Sequence, residues 1–268
     1  MKKRLDIILY EKGWTESREK ARSIIMAGLV YVEGKLKDKP GEKIDENLNI
    51  EIKGNNLPYV SRGGLKLEKA IKEFNVAIKD KIFLDIGAST GGFTDCLLQY
   101  GAKKVYSIDV GYGQLAWKLR KDSRVISMER TNFRYLTPDD INDVADGATI
   151  DVSFISLAII FNNLYNLLKE KGEVIALIKP QFEAGREKVG KKGVIREPKV
   201  HIEVIKKVIE EVEREKFFLK DLSYSPIKGP AGNIEFLAYF TKYWQEELGD
   251  KEGKIHRIVA RAHEELNN

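Results

Sequence analysis

Apolar strand-like segments alternate with helix-like segments from about residue 60 onward, and this alternation restricts the fold more than any other feature of the sequence. The clearest helical segment is 200–214, where apolar residues recur at helical spacing (Ile205, Val208, Ile209 and Val212). Strand-like segments occur at Lys81–Asp85, Val105–Asp109, Val125–Met128, Thr149–Val152, Glu173–Ile178, Phe217–Tyr224 and Ile234–Phe240. Strands and helices in alternation are typical of a mostly parallel sheet that is covered on both faces. We therefore predict an α/β, Rossmann-like fold with a mostly parallel seven-stranded sheet.

The beginning of the chain predicts a separate and smaller unit. A first helix should end at Gly13, and a second helix, capped by Thr15 or Ser17, should end at Gly28. Short apolar strands with intervening turns follow these helices. Two short helices followed by short strands predict a compact α+β domain.

We place the domain boundary before residue 59, so that the small domain and its linker occupy 1–58 and the α/β domain occupies 59–268. The segment 54–58 is rich in turn-forming residues, which predicts the linker. The segment 183–197 is rich in glycine and lysine and predicts a mobile loop. The charged segment from about Glu246 predicts a helix exposed to solvent.

Composition excludes several classes of protein. Of the 268 residues, 43% are hydrophobic and 32% are charged, which is enough apolar material for a packed core. No apolar run approaches the ~18 residues that a membrane-spanning helix needs. Asp6, Glu11 and Lys12 interrupt the apolar stretch that a signal peptide would require near the start. We therefore expect a cytoplasmic protein without a membrane partner.

The cysteine and histidine content and the net charge further limit the possible kinds of site and partner. Cys96 is the single cysteine and lies in an apolar context, so we expect it to fill the core. The three histidines form no close pair at ligand spacing along the chain, so we expect no metal site. The net charge of +5 is compatible with a partner that carries a phosphate backbone.

A glycine-rich turn joins an apolar strand to a helix within Phe83–Thr94. Glycines let the backbone approach a ligand closely, and the N-terminus of the following helix favours negative charge. The spacing is Gly-x-x-x-Gly-Gly rather than the G-x-G-x-x-G of dinucleotide sites. Asp85, before the turn, suits a cationic or amino-bearing ligand, and Asp109, at the end of the next strand, suits the ribose hydroxyls of a nucleoside. Together they favour S-adenosylmethionine over NAD as the cofactor.

The run Asp85–Asp95 resembles the cofactor loop of the FtsJ-like methyltransferases, which depend on S-adenosylmethionine. Four further blocks, in one order along the chain, make the sequence resemble the TlyA (haemolysin A) family of ribosomal RNA 2′-O-methyltransferases. These blocks are Tyr59–Leu67, Asp151–Leu157, Ile178–Glu183 and Gly229–Glu235. The resemblance implies a class I methyltransferase fold, S-adenosylmethionine as the cofactor and ribosomal RNA as the partner.

Each of the four blocks places a charged residue at the edge of a predicted helix or strand, namely Lys66, Asp151, Lys179 and Glu235. In open α/β sheets, ligands bind at the carboxyl ends of strands, so Asp151 and Lys179 should face the glycine-rich loop. Two lysines and two carboxylates can neutralise one another when buried. The residues alone therefore leave a structural ion-pair network and a catalytic site equally open.

The resemblance implies catalysis, because FtsJ-like enzymes use a Lys-Asp-Lys-Glu tetrad whose positions match these four residues. A ribose 2′-hydroxyl is a poor nucleophile and needs a base within hydrogen-bond reach. We assign Lys179 to that hydroxyl, with a pKa lowered by a neighbouring cation and a low dielectric. Asp151 would orient Lys179, and Lys66 and Glu235 would complete the network. The predicted cofactor-binding residues are Asp85, Gly87, Ala88, Ser89, Thr90, Gly91, Gly92, Phe93, Asp109, Asp151 and Phe154.

The small domain resembles an S4 RNA-binding domain in the segments Arg4–Asp6, Ser17–Arg22 and Gly28–Lys35. Arg18 and Arg22 are four residues apart and share a helical face, which suits contacts with phosphates. A basic face that is merely solvated is the alternative. The predicted RNA-binding residues are Arg4, Arg18, Lys20, Arg22, Lys35 and Arg62.

The resulting hypothesis is a methyltransferase that modifies a ribose 2′-hydroxyl of ribosomal RNA, at a cytidine as the family implies. Three rivals stay open from the sequence. They are a membrane-active haemolysin, a non-catalytic RNA-binding protein that senses S-adenosylmethionine, and a methyltransferase for small molecules. The last of these would leave the S4-like domain unexplained.

Overall fold

The computed structural model describes residues 2–52, 58–190, 193–243 and 249–266, apart from the side chains of Ser23 and Arg186. Most of the predicted linker 54–58, and the first residues of the segment after Glu246, lie outside these ranges. The helices are α1 (Leu5–Glu11), α2 (Arg18–Met26), α3 (Gly63–Phe74), α4 (Gly92–Gln99), α5 (Trp117–Arg120), α6 (Leu157–Leu164), α7 (Pro180–Glu183), α8 (Pro198–Arg214) and α9 (Lys251–Leu266). None of the described helices is long and apolar enough to cross a membrane.

Five short strands belong to the small domain, and seven longer ones form the main sheet. They are β1 (Lys2–Arg4), β2 (Val30–Val32), β3 (Lys35–Lys37), β4 (Lys43–Asp45), β5 (Ile50–Ile52), β6 (Ile82–Ile86), β7 (Lys104–Ile108), β8 (Val125–Met128), β9 (Ala145–Ile150), β10 (Leu168–Ile178), β11 (Phe218–Tyr224) and β12 (Phe236–Thr241). All seven strands predicted for the α/β domain are present, with ends that shift by a few residues. The predicted α/β fold with a seven-stranded sheet is confirmed.

The main sheet has the strand order β11-β12-β10-β9-β6-β7-β8. β12 pairs antiparallel with both of its neighbours, and every other pair in the sheet is parallel. One apolar core packs α6, α8 and α9 against one face, and a second packs α3 and α4 against the other. Cys96 is fully buried in the second core, as predicted.

The strand order reverses between β6 and β9, because the chain proceeds outward from β6 in one direction and from β9 in the other. Such a reversal opens a crevice at the carboxyl ends of the strands, where ligands of open α/β sheets bind. The glycine-rich loop leaves β6 at this point, and Asp151 follows β9. The backbone N–H of Asp151 donates to the Ile86 carbonyl at 3.0 Å, so the two strand ends lie side by side.

The small domain packs α1 and α2 onto short strands around its own apolar cluster, which includes Leu5, Ile8, Leu9, Ala21, Ile25 and Val30. Ser17 caps α2, since its Oγ accepts from the Lys20 N–H at 3.1 Å, and Gly28 ends the turn after it at φ +75°. The sequence reading missed β1, β3 and β4. Each is three residues long with two or three charged side chains, so neither length nor alternation of apolar residues marks it.

One prediction for the α/β domain is wrong, and another stays a prediction. In the segment 183–197, whose mobility stays a prediction, the Ile195 N–H donates to Asn233 Oδ1 at 3.0 Å and the Asn233 amide donates to the Gly193 carbonyl at 2.8 Å. The C-terminal helix α9 is not a solvated helix. Its apolar stripe (Ile255, Ile258, Val259 and Ala262) is buried against α8 and β11, and charged residues cover only the opposite side.

Candidate active site

A cavity of about 650 Å³ lies at the reversal point of the sheet, between the two domains. Its walls come from the glycine-rich loop, the loops after β9 and β10, the segment before β12, and the small domain around β3. Ligand pockets commonly measure about 300–1,000 Å³. The cavity therefore has room for a small ligand together with part of a larger substrate.

All four residues of the predicted tetrad line this cavity and form one chain of ion pairs. Lys66 Nζ lies 2.6 Å from Glu235 Oε2 and 3.9 Å from Asp151 Oδ2. Asp151 Oδ1 lies 2.6 Å from Lys179 Nζ, which also donates to Ser153 Oγ at 3.1 Å. The order of contacts is thus Glu235, Lys66, Asp151, Lys179, with two positive and two negative charges.

The local folds explain why these side chains meet. Asp151 and Lys179 directly follow the neighbouring parallel strands β9 and β10, and Glu235 directly precedes β12, which runs antiparallel to β10. All three therefore reach the same edge of the sheet. Lys66 comes from the first turns of α3 and completes the group from above this edge.

Burial and charge act in opposite directions on the inner members of the tetrad. Burial disfavours the charged form of Lys66, which is 7% exposed, but Glu235 and Asp151 outweigh it and raise the pKa of Lys66. Burial likewise opposes the charged form of Asp151, but Lys179 and Lys66 outweigh it and lower the pKa of Asp151. Both groups are therefore held in their charged forms by one another.

At three glycines of the loop after β6, the protein leaves no room for a side chain. A Cβ on Gly87 would lie 2.5 Å from the Asp151 carbonyl oxygen, and one on Gly92 would lie 2.3 Å from Ser61 Oγ. A Cβ on Gly91, at φ +92°, would lie 2.3 Å from Leu119 Cδ1. Gly87 and Gly92 line the cavity through their backbone, together with Ala88, Ser89, Thr90 and Phe93, whereas Gly91 packs behind the loop.

The two acids predicted to contact the cofactor occupy different environments. Asp85 is fully buried beneath the loop, where its carboxylate accepts from the hydroxyls of Thr94 at 2.6 Å and Thr149 at 3.0 Å. Burial raises the pKa of Asp85 to about 7, and these hydroxyls offset part of the effect. Asp109 is partly exposed and accepts from the backbone N–H groups of Ser89 at 2.8 Å and Gly111 at 2.7 Å. Of these two acids, Asp109 is thus the one with an accessible carboxylate next to the loop, although it does not line the cavity itself.

An aromatic pair stands at the mouth of the cavity. Phe154 is 88% exposed and packs against Phe182, with ring centroids 4.6 Å apart. The sequence predicts a cofactor contact for Phe154 but no role for Phe182, Ser153 or Gln181, which also line the cavity. The contacts of Phe182 with Phe154 and of Ser153 with Lys179 join segments far apart in sequence, so spacing along the chain does not reveal them.

The predicted RNA-binding residues differ in what their side chains contact. Arg4 pairs with the buried Asp6 through Nε and Nη2, both at 2.9 Å, and Arg18 Nη2 lies 3.3 Å from the same carboxylate. Arg62 lines the cavity, where its side chain packs on Gly28 of the small domain. The other three (Lys20, Arg22 and Lys35) are exposed on the small domain.

Folding brings two histidines together, although no spacing along the chain predicts it. His201 Nδ1 and His263 Nε2, on α8 and α9, lie 2.9 Å apart despite a separation of 62 residues. Burial, followed by the charge of His263, lowers the pKa of His201 to about 4. Within the described ranges, no group of three or more His, Cys, Asp or Glu side chains could hold a metal ion.

Comparisons with known proteins agree with this arrangement. Residues 59–242 match the model of the FtsJ-like methyltransferase family, and residues 3–50 match that of the S4 domain. The "Putative rRNA methyltransferase YqxC" of Bacillus subtilis is 57% identical over 99% of this chain and 95% of its own length. The "16S/23S rRNA (cytidine-2'-O)-methyltransferase TlyA" of Mycobacterium tuberculosis is 36% identical over 96% of this chain and 97% of its own length.

A solved structure supports the same relationship in both domains. The chain described as "Putative hemolysin from Streptococcus thermophilus" has a TM-score of 0.78 and 50% sequence identity, over 99% of this chain and 97% of that one. An S4 domain and an FtsJ-like methyltransferase domain therefore occur together in a known type of protein. The chain belongs to the TlyA (hemolysin A) family, in which an S4 domain precedes an FtsJ-like methyltransferase domain.

Proposed function

We propose that this protein transfers a methyl group from S-adenosylmethionine to the 2′-hydroxyl of a cytidine in ribosomal RNA. One observation supports the proposal most strongly. The ion-paired tetrad ends in Lys179, whose Nζ faces the cavity beside the glycine-rich loop. Relatives named as rRNA (cytidine-2'-O)-methyltransferases support the choice of substrate.

The residues around the loop fit the cofactor. The backbone of residues 87–90 forms one cavity wall, and Asp109 reinforces it by accepting two backbone hydrogen bonds. Each oxygen of a carboxylate can accept more than one hydrogen bond, so Asp109 keeps capacity for two ribose hydroxyls. The carboxylate of Asp151, whose backbone lies beside Gly87 at the end of this wall, suits a positively charged sulfonium.

The cofactor, when bound, supplies an activated methyl group, so the protein has to orient the hydroxyl and take its proton. In the proposed reaction, the ribose oxygen forms a bond to the methyl carbon as the carbon–sulfur bond breaks. Lys179 holds the hydroxyl and accepts its proton, for which it must first release the proton that it carries in its ion pair with Asp151. Asp151 and Ser153 fix Lys179 in place, and Lys66 with Glu235 hold Asp151.

The surroundings of the tetrad suit a nucleotide that is drawn out of an RNA chain. The exposed Phe154–Phe182 pair offers a surface on which a base can stack. Arg62, Lys37 and Lys39 line the same cavity and suit phosphate contacts, so the small domain contributes to the substrate site. A ribosomal substrate places the reaction in the cytoplasm.

Mapping of 2′-O-methyl groups tests the proposal. Unmodified ribosomal RNA is incubated with the protein and S-adenosylmethionine, and each methylated ribose is located by its resistance to alkaline cleavage. We expect new methylation at a cytidine that depends on both protein and cofactor. RNA without any new methyl group would contradict the proposal, and liposomes that leak on addition of the protein alone would favour a membrane-active function.

A further inference from the structure

The two loops that carry Asp151 and Lys179 are separate segments of the chain, and the tetrad requires them to stay in register. The first loop, 151–156, leads from β9 into α6, and the second leads from β10 into α7. Four contacts join them. They are the Lys179–Asp151 ion pair, the Phe154–Phe182 ring contact, a hydrogen bond from the Leu157 N–H to Glu183 Oε1, and a hydrogen bond from Lys179 Nζ to Ser153 Oγ.

The third contact compensates for a missing cap on α6. The first N–H groups of any helix lack partners within the helix and need an acceptor from elsewhere. Ser156 occupies the N-cap position of α6, but its side chain makes no capping hydrogen bond. The Leu157 N–H, the first of the helix, instead donates to Glu183 at 2.9 Å. A residue of the Lys179 loop thus caps the helix that ends the Asp151 loop.

Glu183 is well placed to act as a fixed anchor. It ends α7 only four residues after Lys179, and it is 5% exposed. Burial raises the pKa of Glu183, while the hydrogen bonds from the Leu157 N–H and the Ser156 hydroxyl offset part of this effect. Neither lysine of the tetrad contacts it, so its hydrogen bond to α6 is distinct from the ion-pair chain.

The segment held by this hydrogen bond contains a strained residue. Phe154 has φ +65°, a conformation that costs energy for a side chain with a Cβ and persists only where its surroundings enforce it. Phe154 lies midway between Asp151, which is anchored on Ile86, and Leu157, which is anchored on Glu183. Release of the second anchor would let the loop relax and would move both Phe154 and Ser153.

We propose that Glu183 is a positioning residue, which holds the 151–156 loop in register with Lys179 by capping α6 from the neighbouring loop. This inference rests on the proposed function and extends it to a residue that touches neither the cofactor nor the hydroxyl. Its effect should fall on the rate of methyl transfer more than on cofactor binding, because the loop after β6 forms the main cofactor wall, whereas the 151–156 loop adds Asp151 and Phe154.

Three variants of the full-length protein test this role. Glu183→Leu keeps the approximate size of the side chain but removes the acceptor, whereas Glu183→Gln keeps an acceptor oxygen for the Leu157 N–H. Glu173→Leu is the matched control, because Glu173 is a largely buried acid on β10 that pairs with Lys81 and Tyr239 away from the cavity. Single-turnover rates on ribosomal RNA, cofactor affinity by calorimetry, and melting temperature are measured for each.

We expect Glu183→Leu to lower the single-turnover rate by about 10- to 100-fold, the range for reacting groups misplaced by about 1 Å. Its cofactor affinity should fall much less than its rate, Glu183→Gln should recover most of the rate, and Glu173→Leu should lose stability without comparable loss of rate. A near-normal rate for Glu183→Leu, or a Gln variant as slow as the Leu variant, would overturn the inference. Wild-type protein that methylates no ribosomal RNA would instead contradict the proposed function itself.

Discussion

Gly91 was predicted to contact the cofactor, but in the structure its surroundings are side chains of the protein core. The glycine-rich pattern indicates close approach of the backbone to a ligand, which makes a larger side chain at Gly91 look like an obstacle to the cofactor. In the structure, a side chain at this position would instead run into Leu119 and Leu115 of the protein core. The glycine therefore permits the positive φ and the packing behind the loop.

Substitution of Gly91 should act through stability first. Gly91→Ala combines a strained φ with overpacking, whereas Gly13→Ala has a positive φ with no atom within 4 Å of the new Cβ. Overpacking typically costs about 1–3 kcal/mol beyond strain. Chemical denaturation should show the larger loss for Gly91→Ala, accompanied by weaker cofactor binding in calorimetry. Equal losses for the two variants would show that φ strain alone explains the glycine.

The buried carboxyl of Asp85 should make stability depend on pH. The folded protein retains the Asp85 proton up to about pH 7, whereas the unfolded chain loses it near the ordinary value of 3.8. Stabilisation from this group is therefore complete below about pH 4 and is lost as the pH rises through 7. Asp85→Asn cannot ionise, so the free energy of unfolding of the variant should improve relative to wild type over this range. If the difference in free energy of unfolding between the two proteins stayed constant from pH 4 to pH 8, the raised pKa of Asp85 would be refuted.

Sequence alone identified all four tetrad residues, because each stands at the end or start of an apolar segment within a recognisable block. It did not find Glu183 or Phe182 as partners of the 151–156 loop, because those contacts form only when β9 and β10 become neighbours. The resemblance implied the contact between Asp151 and Lys179, which the structure contains. The pattern of residue types alone does not show which lysine meets which carboxylate.

The basic residues of helix α2 differ in whether they are free to contact RNA. The expectation that Arg18 and Arg22 act as a pair is weakened by the contact of Arg18 with Asp6, a fully buried carboxylate that Arg4 also holds. Replacement of Arg18 would disturb the fold of the domain as well as any RNA contact. Lys20 and Arg22 are exposed on the same helix and give a cleaner test.

Lys20→Ala together with Arg22→Ala should weaken RNA binding and flatten its dependence on salt. Each lost phosphate contact removes about 0.7–0.9 from the slope of log affinity against log salt concentration. Filter binding at several salt concentrations measures both quantities. Lys103→Ala, an exposed lysine just before β7 in the other domain, is the control and should leave both unchanged. An unchanged slope in the double variant would show that the basic face of α2 is only solvated and does not contact RNA phosphates.

The strongly periodic elements were predicted well, and the short or charged ones were not. The strands of the main sheet are apolar enough to be recognised, whereas β1, β3 and β4 depend on pairing with partners for their existence. The helix α9 was misread because its charged residues dominate the composition, although its apolar residues recur at helical spacing. Periodicity within an element predicted better than its overall charge.

In the molecule as a whole, residues of both domains line one cavity. Under the proposed function, RNA recognition and methyl transfer therefore share this cavity. The small domain supplies Lys37 and Lys39 to the walls that also hold the tetrad. The tetrad is electrically balanced, with Glu235 1% exposed, so loss of one member leaves a buried charge without its partner. Such a loss typically costs about 3–5 kcal/mol. Lys66→Ala should therefore reduce stability as well as activity.

Lys179 differs from Lys66 because it stands at the outer end of the ion-pair chain, next to the space for the substrate. The most direct test is a single-turnover measurement with Lys179→Ala, labelled S-adenosylmethionine and ribosomal RNA. Removal of a positioned base typically slows a reaction by about 100- to 10,000-fold. We expect a loss of this size with cofactor and RNA affinity retained, with smaller losses for Glu235→Ala and non-additive losses in the double variant. A Lys179→Ala protein that methylates ribosomal RNA at a near-normal rate would show that the tetrad is a structural ion-pair network.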